Sequence, residues 1–306
     1  MPRHLIDITD LTVTEIDSLI ATAEDIFDNP DKYRSVCTRR QLATLFFEPS
    51  TRTRLSFESA MLALGGQVLG FSSADCSSTA KGETVTDTVH TVSCYADIIA
   101  MRHPKEGAPF AAAQVSEVPI INAGDGGHNH PTQTLTDLLT IHRERGKLHG
   151  FTIGFCGDLK FGRTVHSLVN ALSRYPDIRY VFISPTELKL PRYVKEHSLK
   201  NRNIPYEQTE ELSEVMPELD LLYMTRVQKE RFFNEEEYLR LKDSYILTPA
   251  KLCNAKPDLS ILHPLPRVNE ISAAVDRDPR AVYWKQVRYG KYIRMALIMY
   301  LLGLTP

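Results

Sequence analysis

Nothing in this 306-residue sequence approaches the roughly 18 consecutive apolar residues of a membrane-spanning helix. Excess charge is missing too. The 36 Lys and Arg nearly balance 38 Asp and Glu, and the formal net charge of -2 offers no basic face for a general nucleic-acid binder. The opening stretch MPRHLIDITDLTVTEIDSLI carries acids early and has no apolar core of the signal-peptide kind, so a cytoplasmic protein is expected. Five cysteines, at positions 37, 76, 94, 156 and 253, are too few, too scattered and odd in number for a disulfide framework or a zinc knuckle. They are expected to be reduced and packed as small hydrophobes. A GxxxxGK[ST] phosphate loop is absent. The glycines of GFCGDLKFG, residues 154 to 162, fit a tight turn after a strand but lack the GxGxxG spacing of a dinucleotide site.

What is present is a patterned globular chain, with 42% hydrophobic and 24% charged residues. Apolar runs at Gln41 to Phe47, Gln67 to Phe71, Ile98 to Met101 and Val118 to Asn122 read as strands, with helices over about 12–28, 53–64 and from Thr84. Pro131 suits a first helical turn, and that helix is expected to run toward Gly146. The pattern then restarts, with four strand-like runs at Phe151 to Phe155, Arg179 to Ile183, Leu221 to Met224 and Ser260 to Leu262. Strands alternating with helices imply parallel sheets covered on both faces. The expectation is therefore an α/β protein: two doubly wound parallel-sheet domains linked by helices. One domain takes residues 1–130 plus the closing helix, 285–306. The other takes 131–284, with about 131–146 as the linking helix.

Ser50-Thr51-Arg52-Thr53-Arg54 sits at the mouth of a predicted helix. A helix start exposes unpaired backbone amides and the positive end of the dipole. Hydroxyls at Ser50, Thr51 and Thr53, with the planar fork of Arg52, add the donors of a phosphate cradle. An N-cap followed by solvent-facing arginines is the plainer alternative. Five companions shift the balance. Arg102-His103 follows one strand, His130-Pro-Thr-Gln133 opens a helix, and Arg163 follows the glycine-rich turn. Arg226-Val-Gln228-Lys-Glu-Arg231 and His263-Pro-Leu-Pro-Arg267 follow two further strands. Most lie at or soon after the C-terminal ends of strands, where doubly wound sheets bind ligands. Glu48, Arg231 and Glu270 are expected to be ion-pair partners within the fold.

These elements, in this order and across essentially the whole chain, resemble the carbamoyltransferases. The serine-x-arginine-threonine-arginine element is common to the family, whereas RVQKER and HPLPR favour aspartate over ornithine as acceptor. The resemblance implies transfer of a carbamoyl group from carbamoyl phosphate to L-aspartate in pyrimidine biosynthesis, with no cofactor or metal. Under it, Ser50, Thr51, Arg52 and Thr53 hold phosphate, while Arg102 and His130, with Thr53, surround the carbamoyl oxygen. Gln133 and the backbone carbonyls of Leu265 and Pro266 orient the carbamoyl nitrogen. Arg163 clamps the α-carboxylate of aspartate, and Arg226 and Gln228 read its side-chain carboxylate. The family also places Ser77 and Lys81 in a neighbouring subunit's site, which implies a homotrimer. Many relatives have a second basic residue where Ala80 stands. Some assemble further with separate regulatory chains. A carbamoyltransferase for a basic amine such as ornithine, or a non-catalytic anion-binding protein, are the alternatives to be separated.

Overall fold

The computed structural model describes residues 2–305 apart from 229–233 and 242. It divides into two compact units, Met1–Leu139 with Arg288–Pro306, and Thr140–Val287.

The first unit is built on a four-stranded sheet of β1 (Gln41–Phe46), β2 (Gln67–Phe71), β3 (Ile98–His103) and β4 (Ile120–Asp125). The order is β2-β1-β3-β4, with every pairing parallel. Five of the six β1 residues are buried, as a strand covered on both faces requires. Helices α1 (Val13–Asp28), α2 (Thr51–Ala63), α3 (Val85–Ser93), α4 (Ala108–Val115) and most of α5 (Pro131–Arg145) belong to this unit. At the start of α1, Thr12 and Glu15 form a reciprocal capping box, which explains why the helix begins where its apolar face does. Ala43, Leu45, Val89, Ile99, Met101 and Ala112 pack as one core between sheet and helices.

The second unit carries β5 (Phe151–Cys156), β6 (Ile178–Ile183), β7 (Tyr206–Thr209), β8 (Leu221–Met224) and β9 (Ser260–Leu262). Their order is β7-β6-β5-β8-β9, again parallel throughout. Helix α6 (Arg163–Leu172) follows β5, and α7 (Tyr283–Leu302) closes the chain.

Both sheets are doubly wound: the winding reverses between β1 and β3 in one and between β5 and β8 in the other. The crevice at the carboxyl ends of such a pair is where open α/β sheets place ligands. The second sheet has five strands where the sequence suggests four. Tyr206–Thr209 is an outer strand whose residues are only partly buried or exposed, so it lacks the apolar run that marks a central strand. Strand β3 also runs two residues beyond the predicted Met101, which brings Arg102 into the sheet.

Among the described residues no helix is long and apolar enough to cross a membrane. All five cysteines are unpaired thiols, Cys37 and Cys156 buried, Cys76, Cys94 and Cys253 exposed.

Candidate active site

In the first unit, Phe46 at the end of β1 pairs in register with Arg102 of β3. The next amide, of Phe47, donates to the Arg102 carbonyl at 2.9 Å. The chain leaving β1 into the helix start is thereby held against Arg102. Ser50 is the N-cap of α2 in extended conformation, and its side chain makes no capping bond. Thr51 and Arg52 are exposed in the first turn, and Thr53 is buried. The Arg102 side chain, 12% exposed, lies with Nη2 2.7 Å from Glu48 Oε2. Its Nε is buried with no acceptor among the described residues. A buried guanidinium donor without a partner is costly unless something anionic or carbonyl-like completes it. Arg54 turns instead to Glu58, its Nε donating to Oε1 at 2.7 Å, where the Thr44 hydroxyl also donates.

Beside β3, strand β4 ends at Asp125, a residue with no assigned role in the sequence reading. It is 1% exposed and shapes the turn that follows. Its carboxylate accepts from the amides of Gly107 and Asn129, each at 3.0 Å, and from the Asn122 side chain at 3.1 Å. That turn delivers His130 to the start of α5, where the His130 carbonyl accepts from the amides of Gln133 and Thr134. The imidazole is buried, with Nδ1 3.5 Å from the Thr132 hydroxyl. One turn on, Gln133 Nε2 donates to Asp137 Oδ1 at 2.7 Å. Three neighbouring strands thus end in the cradle, Arg102, and the His130–Gln133 helix start.

Ser77 and Lys81 lie apart from that row, on the loop that leaves the outer strand β2. The predicted loop contains two short 3-10 turns, Ala74–Cys76 and Ser78–Lys81. Ser77 Oγ donates to the Ala74 carbonyl at 2.7 Å, and Lys81 is exposed.

In the second unit, Arg163 is the first residue of α6, just past the turn from β5. Arg226 and Gln228 follow β8, the strand beside β5. The two loops are tied together by Asp158, which is fully buried. Its Oδ1 accepts from the Phe161 amide at 2.9 Å and its Oδ2 from the Gln228 amide at 3.3 Å. Burial raises the Asp158 pKa to about 6, against the pull of those amides. Asp158 was legible only as part of a turn, because an Asx-type residue after glycine announces a bend and not its partner.

Leu265 and Pro266 follow β9, next to β8, and the Leu265-Pro266 peptide is cis. Leu265 has φ +52. His263 holds this turn: its Nδ1 accepts from the Leu265 amide at 2.8 Å, so the ring proton sits on Nε2, which donates to Glu270 Oε1 at 2.7 Å. Burial keeps the imidazole pKa below its ordinary value, and the Arg267 and Arg226 charges push the same way against Glu270. Glu48 is thus an ion-pair partner, of Arg102, whereas Glu270 accepts a hydrogen bond from the neutral His263 imidazole. Arg231, also expected as an ion-pair partner, lies outside the described residues, as do Lys229 and Glu230 of the same motif.

The first unit therefore presents a helix start, hydroxyls and a buried guanidinium suited to a phosphorylated carbonyl compound. The second presents Arg163 and Arg226 on linked loops, suited to carboxylates. Residues 3–143 match the model of the aspartate/ornithine carbamoyltransferase carbamoyl-P binding domain. Residues 149–301 match that of the Asp/Orn binding domain. The chain is 64% identical over 304 residues to the aspartate carbamoyltransferase catalytic subunit of Lachnoclostridium phytofermentans, covering 99% of each protein. Its fold is similar to the catalytic subunit of M. jannaschii aspartate transcarbamoylase, with TM-score 0.92, 46% identity and 98% of each chain covered. It is also similar to aspartate transcarbamoylase from Trypanosoma cruzi in complex with N-(phosphonacetyl)-L-aspartic acid, with TM-score 0.91, 40% identity, and 97% and 95% covered.

Proposed function

From the premise that the chain belongs to the aspartate/ornithine carbamoyltransferase family, we propose that it transfers the carbamoyl group of carbamoyl phosphate to the amine of L-aspartate. The products are N-carbamoyl-L-aspartate and phosphate, and the reaction serves pyrimidine biosynthesis. The observation that carries this reading is Arg102, whose buried Nε has no acceptor among the described residues, held in register beside the Ser50 helix start. Such a set supplies both the phosphate cradle and a donor for the carbonyl at which the amine attacks.

In this reading Ser50, Thr51, Arg52 and Thr53 hold the phosphate. Arg102 and His130, with Thr53, donate to the carbamoyl oxygen, where negative charge builds as the amine adds. One such donor contributes roughly 3 to 4 kcal/mol to the rate. Gln133 and the carbonyls of Leu265 and Pro266 take the carbamoyl nitrogen. Arg163 and Arg226, with Gln228, bind the two carboxylates of aspartate. Alignment of the two reactants contributes about 7 to 11 kcal/mol in favourable cases, and no covalent nucleophile is needed. The departing phosphate accepts the ammonium proton, and His130 serves as a hydrogen-bond donor.

A homotrimer, with Ser77 and Lys81 completing a neighbour's site, belongs to the same proposal. The exposure of Lys81 on the loop beyond an outer strand supports it. Phosphate release with carbamoyl phosphate and each candidate amine tests the whole reading. Release with aspartate and none with ornithine is expected. Release with ornithine alone, or tight phosphate binding without transfer, would replace it.

A further inference from the structure

Gln133 has a carboxamide whose two ends differ chemically, and something must choose which end faces the substrate. A carboxylate accepts hydrogen bonds and donates none, so the 2.7 Å contact to Asp137 Oδ1 holds the Gln133 nitrogen inward. The carboxamide oxygen is then on the opposite side. Asp137 is fully buried on α5, one turn beyond Gln133. A buried carboxylate needs a cation nearby.

The Asp137 charge acts on Arg294 of α7, which is 4% exposed. Its Nη1 donates to the Gly290 carbonyl at 2.9 Å and the Ser56 hydroxyl at 3.1 Å, and reaches the Thr136 hydroxyl at 3.4 Å. The guanidinium stands over the Phe57 ring at 5.1 Å. It therefore touches the cradle helix α2 and the Gln133 helix α5 at once. Burial lowers its pKa to about 10, and the Asp137 charge opposes that fall. Gly290 explains itself here. Glycine inside a helix costs about 1 kcal/mol relative to alanine, but a Cβ at this position would lie 2.7 Å from Arg294 Nη1.

We propose that Asp137 and Arg294 are positioning residues that lock the Gln133 carboxamide with its oxygen toward the carbamoyl nitrogen. They thereby make the enzyme selective for a carbamoyl over an acyl phosphate. The inference rests on the proposed function. A carbamoyl group has N–H bonds for that oxygen to accept, whereas an acetyl group offers a methyl in the same place. A flipped carboxamide would oppose donor to donor.

The test compares carbamoyl phosphate, through its kcat and KM with saturating aspartate, against acetyl phosphate as a competitive inhibitor of the same protein. Asp137→Asn can donate to Gln133 and release the lock. It should weaken use of carbamoyl phosphate about 10- to 100-fold while the acetyl phosphate inhibition constant moves less than about twofold. Gly290→Ala, which crowds Arg294, should shift the same ratio in the same direction. In a Gln133→Ala background, Asp137→Asn should add nothing to the ratio. Equal weakening of both ligands, or additive effects in the double variant, overturns the proposal. Should Asp137→Asn not fold, the wild-type protein still decides. The Gln133 side-chain N–H signal, assigned by its loss in Gln133→Ala, should exchange slowly and keep its shift when carbamoyl phosphate is added. A large shift on addition means that the carboxamide turns, and the lock is absent. Wild-type protein that transfers no carbamoyl group to aspartate would instead remove the functional reading, while that N–H signal would still report on the lock.

Discussion

The side-chain amide nitrogen of Gln228 donates to the carbonyl of Phe161 at 2.9 Å. With the two amides bound by Asp158, this fastens the loop after β8 to the loop after β5. Arg226 and Arg163 are carried by those loops, so their spacing depends on contacts that neither arginine makes itself.

Asp158 gives a pH dependence of definite sign. Its folded pKa of about 6 lies above the ordinary carboxylate value, so between about 4 and 6 the folded state binds more protons than the unfolded one. Stability contributed by this group is present at low pH and is lost as pH rises through about 6. Urea unfolding of wild type and Asp158→Asn at about pH 5 and 7 should show wild type losing roughly 1 kcal/mol relative to the variant as pH rises. The variant also leaves one loop amide without its carboxylate acceptor, so its KM for aspartate should rise. A pH-independent stability difference would show that the buried carboxyl is not the titrating group.

Gly162→Ala should act on aspartate through geometry. A Cβ at residue 162 would stand 2.5 Å from the Asp158 carbonyl oxygen, so the start of α6 must shift. Overpacking of this kind costs about 1 to 3 kcal/mol of stability. Arg163 moves with the backbone, so the KM for aspartate should increase about tenfold or more, with carbamoyl phosphate affinity nearly unchanged. Calorimetry on each substrate separates the two effects.

Arg52→Ala and Arg226→Ala should divide the substrates between them. Loss of Arg52 should weaken carbamoyl phosphate binding and lower kcat by about 100-fold, because phosphate is held through the reaction. Loss of Arg226 should raise the aspartate KM and leave carbamoyl phosphate binding within about twofold of wild type. Equal damage to both substrates in the Arg226 variant would refute its assignment to aspartate.

Lys81 tests the shared site. If Lys81 serves a neighbour, mixing inactive Lys81→Ala and Arg52→Ala proteins, with subunit exchange, should restore about a quarter of wild-type activity. Each restored site would combine an intact Arg52 from one chain with an intact Lys81 from another. No recovery in exchanged mixtures would place Lys81 in its own chain's site.

The amino-acid sequence by itself determined the α/β class and most strand positions, because parallel strands buried on both faces must be short apolar runs and their helices must alternate with them. It also determined that guanidiniums and hydroxyls gather after those strands, since side chains at helix starts and strand ends are read directly from order along the chain. Strand neighbours were left to tertiary structure: β1 lies beside β3 and β5 beside β8, pairings that bring residues about 50 to 70 positions apart into one row. The same holds for Asp125, Asp158 and Arg294, which meet the Gly107 amide, the Gln228 amide and the Ser56 hydroxyl from distant parts of the chain. A buried charge has meaning only through what surrounds it, and in this chain those surroundings form only when distant segments pack.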